Sequence, residues 1–554
     1  MPATVQDLEK LAEWVQSEGG SCSPKIAFAT NDQSGTTAFA SSKIEASENS
    51  PSRLLSCPLS LVIDYDKAAT LLFGSLDACP FSSNPEIAVR LFLCTQRIEG
   101  ESARWYPYIK TLPTIFDTPI FFSEEDLDLL VGTNIYKDIN LRKASWIKEF
   151  NSALSKLPES FDRTLLTQDM YLWACTVLTS RSFPSKIVLG GNQGTSYPVL
   201  VPLVDSLNHY PKRAVVWNIN AASFALEAGK PVEENEEIFN NYGPKGNEEL
   251  LMGYGFCIED NEFDMVSLKL AISSSLPSEK QELLASNSSG LYYLTQTQPL
   301  PDSLVEQFRV QVATKDEVKR LKEGRPVGLR CELDALATLN LALSIKVSQI
   351  KVPQLQNPTR RQINICYYVA NQAKILKAFV LTLTQRMMKL LQISTESLDT
   401  QDIATLRGKV HESMKDFGFS LKSIYQDKRY LEFFETLIAA FEGYDTSGMQ
   451  EQFLALFLCY QDLYYNDSPY YEWLQVMRTR YDNEEELDDS YIEDHEEWRE
   501  MIMPVLTHLN PEIFRAEKWT ARVIAWARKV VDSESVYVPY DEYNSTEFFV
   551  VTKL

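Results

Sequence analysis

Two stretches with strand-like patterning, residues 25–64 and 199–256, are held apart by a long segment of helical periodicity. In the first, Ile26-Ala27-Phe28 is a short apolar run, Gly35 to Ala40 reads as a turn followed by a strand, and Leu59 to Ile63 reads as a further strand. From about residue 66 to 180 apolar residues recur at intervals of three and four, as in Ile87 to Leu93 and Trp173 to Leu178. Strand-like runs return between Val199 and Phe256, broken by turn signals at Asn208 to Pro211 and Glu233 to Glu237. Beyond about residue 270 the pattern is helical again, most clearly in Leu333 to Ile350, Ile363 to Leu391 and Phe453 to Tyr464. The tail, Val536 to Val538 and Phe548 to Val551, is strand-like. The chain is therefore expected to be α+β: a β-rich module split by a helical insertion, then a mainly helical C-terminal region. At 554 residues it can build several cores.

Composition narrows the function classes. The most apolar helical stretch, Ile375 to Leu391, is interrupted by Lys377, Arg386 and Lys389, so a membrane span is not expected. The N-terminus alternates Leu8, Leu11, Trp14 and Val15 with charged residues and reads as an amphipathic helix rather than a secretory leader. A cytoplasmic or nuclear protein is expected. The nine cysteines are scattered without a CxxC pair, and the four histidines lie far apart, so no metal site is expected. A net charge of −23 argues against direct nucleic-acid binding, which needs concentrated Lys and Arg, and favours a basic partner. The densest acidic run, Glu484 to Glu500, reads either as a solvated face or as a docking strip for a lysine-rich protein.

Two blocks carry chemistry. The first is Asp205-Ser206-Leu207-Asn208-His209-Tyr210, which follows the apolar run Val199 to Val204. The second runs from Glu236-Glu237-Ile238-Phe239-Asn240-Asn241-Tyr242-Gly243 through Asn247-Glu248-Glu249-Leu250-Leu251 to Tyr254-Gly255-Phe256. An Asn-His pair alone is usually a turn. D-x-x-N-H, then N-Y-G, then N-x-E-L-L-x-x-Y-G-F is a long joint pattern and far more specific.

With these blocks the chain resembles the SET-domain lysine methyltransferases, in the subgroup of plant Rubisco large-subunit methyltransferase and fungal ribosomal-protein methyltransferases. Other stretches agree. Trp105-Tyr106-Pro107-Tyr108-Ile109-Lys110-Thr111-Leu112-Pro113 is similar to the W-x-P-Y-x-x-x-L-P segment of the subgroup's insertion. Glu124 to Gly132 resembles the acidic-then-leucine run that follows, and Trp173-Ala174 with Ser180-Arg181-Ser182-Phe183 resembles its W-A…S-R-x-F element. The resemblance implies SET halves at residues 1–65 and 185–270, an insertion at 66–184, and a helical substrate-binding region at 271–554.

It also implies a cofactor, S-adenosyl-L-methionine, and roles for single residues. Tyr242 would be catalytic, its hydroxyl beside the transferring methyl. Gly35, Thr36, Arg181, Asn208, His209, Tyr242 and Phe256 would contact the cofactor, and Ser180, Asp205 and Tyr254 would position the target lysine. Trp173 is better assigned to core packing than to the site. The family's G-x-G stands here as Gly35-Thr36-Thr37, which puts a β-branched side chain where backbone is expected to approach the cofactor. The implied substrate is a non-histone protein, a ribosomal protein first and a translation elongation factor second. A catalytically weak SET-fold interaction protein is the alternative from another class.

Overall fold

The computed structural model describes residues 3–31, 35–158, 161–190, 195–287, 289–391, 418–443, 449–466, 469–483, 486–539 and 546–552. His411, and Glu484 and Glu485 of the acidic run, lie outside the described residues. The chain divides into two units, Met1–Val266 with Ser348–Lys374, and Ser267–Val347 with Ile375–Leu554.

The first unit opens with helix α1 (Val5–Ser17), started by a capping box between Thr4 and Asp7. Its apolar stripe, Leu8, Leu11 and Val15, is buried. Strands β1 (Ser21–Cys22), β2 (Ile26–Asn31), β3 (Gly35–Ala40) and β4 (Ser52–Pro58) follow. The inserted helices are α2 (Tyr65–Phe73), α3 (Pro85–Glu99), α4 (Tyr106–Ile109), α5 (Glu124–Asp128), α6 (Asn134–Leu154) and α7 (Gln168–Arg181). The chain returns to strands with β5 (Ser182–Pro184), a short α8 (Ser185–Val188), β6 (Pro198–Leu200), β7 (Val215–Ile219) and β8 (Ser223–Ala228), then ends in α9 (Asn247–Tyr254).

Both halves of the split module contribute to one antiparallel sheet, in the order β1-β4-β8-β7. The central strands β4 and β8 are buried almost throughout, as expected of strands covered on both faces. Smaller pairs, β2-β3 and β5-β6, flank it. One indole pins the insertion and another braces it internally: Trp105 donates to Leu61 O at 2.9 Å, and Trp173 donates to Pro113 O at 2.8 Å. Trp173 is buried, with Arg97 over its ring.

Two sequence expectations are corrected. Leu59 to Ile63 is not a strand; Leu61 N bonds Pro58 O and Val62 N bonds Leu59 O, so the chain turns after Pro58, and only Ile63 bridges to Leu200. The strand is Ser52–Pro58, one segment earlier. The last part of 199–256 is helix α9, not strand: Glu248 and Glu249 suit its first turn, and Gly255, at φ +82°, ends it. The second threonine of Gly35-Thr36-Thr37 does not need glycine's freedom. Thr37 sits in β3 opposite Ala29, fully buried and outside the positive-φ residues, with its hydroxyl donating to Ala29 O at 3.4 Å. Only Gly35, at φ +69°, occupies the left-handed region.

The return of 348–374 to the first unit is announced by no sequence signal. The first half of helix α10 (Arg360–Leu390) fixes the segment behind α9. Asn364 Oδ1 accepts from Cys257 N at 2.9 Å, Asn371 donates to Glu259 O at 3.0 Å, and Gln372 donates to Met265 O at 2.8 Å.

The second unit is mainly helical, with a core of Phe433, Phe457, Trp519 and Trp526 among others. The tail pairs as an antiparallel hairpin, Ser535–Pro539 with Thr546–Val551, joined by Gly418–Phe419. Phe548 and Val550 of the tail enter the same core. Among the described residues no helix is long and apolar enough to cross a membrane.

Gly255 gives a direct test of the backbone. A Cβ there would lie 2.8 Å from Asp117 C and 3.0 Å from Asp117 O. Left-handed strain and overpacking together predict that Gly255→Ala destabilises the first unit by about 3 kcal/mol. Denaturant unfolding checks this; a loss within the ordinary surface range of about 0.5 kcal/mol would contradict it.

Candidate active site

The first motif block follows β6 through a tight reversal. Leu203, fully buried, is held at φ 72° and ψ −44°, a conformation a leucine adopts only where packing enforces it. The reversal places Asp205 inside the protein. Tyr108 Oη donates to Asp205 Oδ2 at 2.7 Å. Arg181 Nη1 donates to Asp205 O at 3.0 Å and lies 3.7 Å from Oδ2. Asp205 Oδ1 is buried and has no hydrogen-bond partner among the described residues. Burial pushes the Asp205 carboxyl above its ordinary range, while Arg181 and Tyr108 pull against that.

Asn208 and His209 are threaded alongside the second block. Asn240 N donates to Asn208 O at 2.8 Å, and Tyr210 N donates to Asn240 O at 3.0 Å, a parallel bridge between His209 and Asn240. The Asn208 side chain donates to Thr36 O at 3.2 Å and to Glu237 Oε1 at 2.8 Å. Ile238 N donates to Ala38 O at 2.7 Å, so β3 is tied to both blocks.

His209 Nδ1 accepts from Tyr242 N at 3.0 Å, and the two rings stack with centroids 4.8 Å apart. That bond needs an unprotonated Nδ1, so the ring proton sits on Nε2, which is buried without a partner among the described residues. Burial, with Lys245 nearby, lowers the imidazole pKa to about 4, so the ring is neutral near pH 7.

Tyr242 donates its hydroxyl to Leu207 O at 2.8 Å and stacks on Tyr254 at 5.0 Å. Phe256 lies 6.2 Å from Tyr254 and 6.3 Å from His209, ring to ring. Burial pushes the Tyr242 phenol well above its ordinary range, which keeps it a donor.

A cavity of about 510 Å³ brings together Ser180, Arg181, Asp205, Tyr242 and Tyr254. Phe183 and Trp217 supply further aromatic wall, and Lys245, ion-paired with Glu249, lies 5.7 Å from the Tyr254 ring. Gly35, Thr36, Asn208, His209 and Phe256 do not line this cavity. They connect to it through the Asn208 bonds and the His209–Tyr242 stack. Ser180 borders the cavity, but its hydroxyl donates back to Thr176 O at 2.7 Å, leaving only acceptor capacity. Among the described residues there is no cluster of His, Cys, Asp or Glu able to hold a metal.

Sequence reasoning did not single out Tyr108, Phe183, Trp217 or Glu237. Tyr108 and Phe183 stand inside the W-x-P-Y and S-R-x-F segments, so a signal existed for both. Trp217, on β7, carried none.

His209 gives a pH test. Its folded pKa of about 4 lies below the ordinary 6.5, so the unfolded chain binds the proton first. The stability it contributes is present above about pH 6.5 and is lost as pH falls towards 4. At most about 3 kcal/mol is involved. His209→Asn retains an acceptor for the Tyr242 amide and should show a flatter decline over that range in denaturant unfolding; equal declines would remove His209 as the cause.

No protein-family model matches the chain. It is 43% identical over 232 residues to ribosomal lysine N-methyltransferase set10 of Schizosaccharomyces pombe, a match covering 41% of this chain and 42% of that protein. It is 24% identical over 478 residues to protein-lysine N-methyltransferase EFM1 of Saccharomyces cerevisiae, covering 76% and 77% of the two. Actin-histidine N-methyltransferase of Danio rerio is 28% identical over 249 residues, covering 42% and 41%. The match to the first of these relatives thus spans about two-fifths of its length. Among solved structures, the SET domain of Rubisco LSMT bound to methyllysine and AdoHcy superposes with a TM-score of 0.59 at 22% identity, covering 70% of this chain and 94% of that one. The chain thus has the fold of the SET domain of Rubisco LSMT, and over two-fifths of its length it is similar in sequence to a fungal ribosomal lysine methyltransferase.

Proposed function

We propose that this protein is an S-adenosylmethionine-dependent protein-lysine N-methyltransferase whose substrate is a lysine-rich, non-histone protein, with a ribosomal protein as the first candidate. The observation that carries this reading is the cavity where Tyr242, Tyr254, Phe183 and Trp217 surround Asp205 and Arg181. Transfer to lysine needs a neutral amine, although the ordinary pKa is about 10.4. An aromatic channel disfavours the charged form by desolvation, and little acid–base machinery is then required.

Residues beside the cavity, together with Arg181 in its wall, fit the cofactor. Gly35 leaves open space where a Cβ would stand, on the strand that Asn208 fastens through Thr36 O. The Arg181 guanidinium suits a carboxylate, and the buried His209 Nε2–H offers an unused donor. When bound, S-adenosylmethionine supplies the electrophilic methyl group. Tyr242 would orient the attacking amine and answer the charge that develops as the methyl moves, held in place by its stacks on His209 and Tyr254. Phe183, Trp217 and Tyr254 would exclude water from the alkyl arm of the lysine.

The net charge of −23 supports a basic protein partner, and the name of the set10 relative supports a ribosomal one. Purified protein, labelled S-adenosylmethionine and ribosomal proteins from cells lacking this chain provide the test. One lysine-rich protein should be labelled, and Tyr242→Phe should lower kcat by roughly 100-fold. No labelled protein, or equal labelling by Tyr242→Phe and Asn208→Ala, would overturn the reading.

A further inference from the structure

We propose that Asn364 and Arg361, which enter the first unit from far along the chain, are positioning residues of this site: they clamp the Tyr254-Gly255-Phe256 turn so that Tyr254 and Phe256 keep their places beside Tyr242 and His209. The inference rests on the methyltransferase reading for what that turn is needed to do. It starts from the core face of α10, whose first half buries Ile365 and Val369 but also Asn364, Tyr368, Asn371 and Gln372. Positions 361, 364, 368, 371 and 372 fall on one side of a helix. An apolar stripe would have packed there without any demand for partners. Burying amides and a phenol costs free energy unless their hydrogen bonds are remade.

Each of them is remade on the stretch that carries the second motif block. Asn364 Oδ1 accepts from Cys257 N at 2.9 Å, and Tyr368 donates to Glu248 Oε2 at 3.1 Å. Asn371 donates to Glu259 O at 3.0 Å, and Gln372 donates to Met265 O at 2.8 Å. Apolar contact is non-directional, whereas a hydrogen bond fixes a distance and an angle. This face of α10 therefore sets where the chain from α9 onward must lie.

Two side chains of the face act at the aromatic turn. The amide that Asn364 holds follows Phe256 directly. Arg361 holds the loop against which Gly255 packs: Nε and Nη2 donate to Asp117 Oδ1 at 3.3 and 3.1 Å, and Nη1 donates to Asp126 Oδ2 at 3.4 Å. The Arg361 guanidinium also lies 4.9 Å from the Phe122 ring. The Asp117 backbone approaches Gly255 too closely for a Cβ. The turn is thus gripped at the amide after Phe256 and at the backbone beside Gly255. Phe256 borders His209 and Tyr254, and Tyr254 stacks on Tyr242, so a displaced Phe256 disturbs the whole aromatic row. Methyl transfer depends on placement, and a small displacement is costly.

The test uses the full chain, with hydrogen exchange read at residues 255–258 and S-adenosylhomocysteine binding read by calorimetry. Asn364→Leu removes the acceptor at similar volume, and Asn364→Asp keeps it. Asn364→Leu should speed exchange of the Cys257 amide and bind S-adenosylhomocysteine about tenfold more weakly. Asn364→Asp should return both to within about twofold of wild type. Asn371→Leu removes a similarly buried bond, to Glu259 O, and separates positioning from stability alone. It should destabilise the chain and keep ligand affinity within about twofold of wild type. Arg361→Met loosens Asp117 and decides the matter if Asn364→Leu fails to fold; it should weaken the ligand, and wild-type affinity there would overturn the proposal. Unchanged exchange and affinity in Asn364→Leu, no rescue by Asn364→Asp, or an equal loss of affinity in Asn371→Leu would each overturn it as well. Faster Cys257 exchange in Asn364→Leu, with no S-adenosylhomocysteine binding by wild type, would leave the clamp standing and sink the methyltransferase reading instead.

Discussion

Asn240 gives its N–H to Asn208 and takes the N–H of Tyr210, so the first motif block lies hydrogen-bonded beside the second. Everything in the candidate site hangs from this crossing. Without it His209 would not meet the Tyr242 amide, and Tyr242 would lose one of its two stacking partners. The Asn208 side chain extends the same crossing to β3 by bonding Thr36 O and Glu237 together. Three stretches far apart in the chain are thus fastened by a few backbone bonds and one amide side chain.

The crossing forces polar groups inside, and their electrostatics follow from burial. A buried imidazole stays neutral near pH 7, and a buried phenol stays protonated. Among the described residues Asp205 is the one carboxylate lining the cavity, and burial works against its charge while Arg181 and Tyr108 work for it. The site is therefore poor in general acids and bases but rich in fixed donors, acceptors and aromatic faces. That balance suits a reaction in which placement and desolvation count for more than proton transfer.

The helical insertion is part of this machinery and not a neutral spacer. Trp105, Tyr108 and Trp173 all come from it; Trp105 fastens it to the module at Leu61, Trp173 ties two of its own segments together, and Tyr108 reaches Asp205. The W-x-P-Y segment thus has a physical meaning. Its indole anchors the turn, its proline sits in the first turn of α4, and its second tyrosine touches Asp205.

Much of this was legible in the chain. Helical and strand periodicities give the split β module and the helical region after about residue 270, because each element buries one face and sequence records that face. The D-x-x-N-H and N-Y-G…Y-G-F blocks contain Asp205, Asn240, Tyr242 and Tyr254 of the cavity lining, since spacing within a block is a local property, while most of the remaining wall comes from outside them. The strand at Leu59 to Ile63 and the strand character of Asn247 to Tyr254 were misjudged locally: a proline-directed turn and a glycine-capped helix overrode apolar composition. Trp217 and the return of Ser348–Lys374 had no local signature at all. By itself the sequence determined the split between β-rich and helical regions and placed the motif residues Asp205, Tyr242 and Tyr254 that the cavity brings together. Only the tertiary structure decided which oxygen of Asp205 meets Tyr108, which histidine nitrogen bears the proton and how the insertion reaches the site, because hydrogen-bond partners a hundred residues apart are chosen by packing and not by spacing.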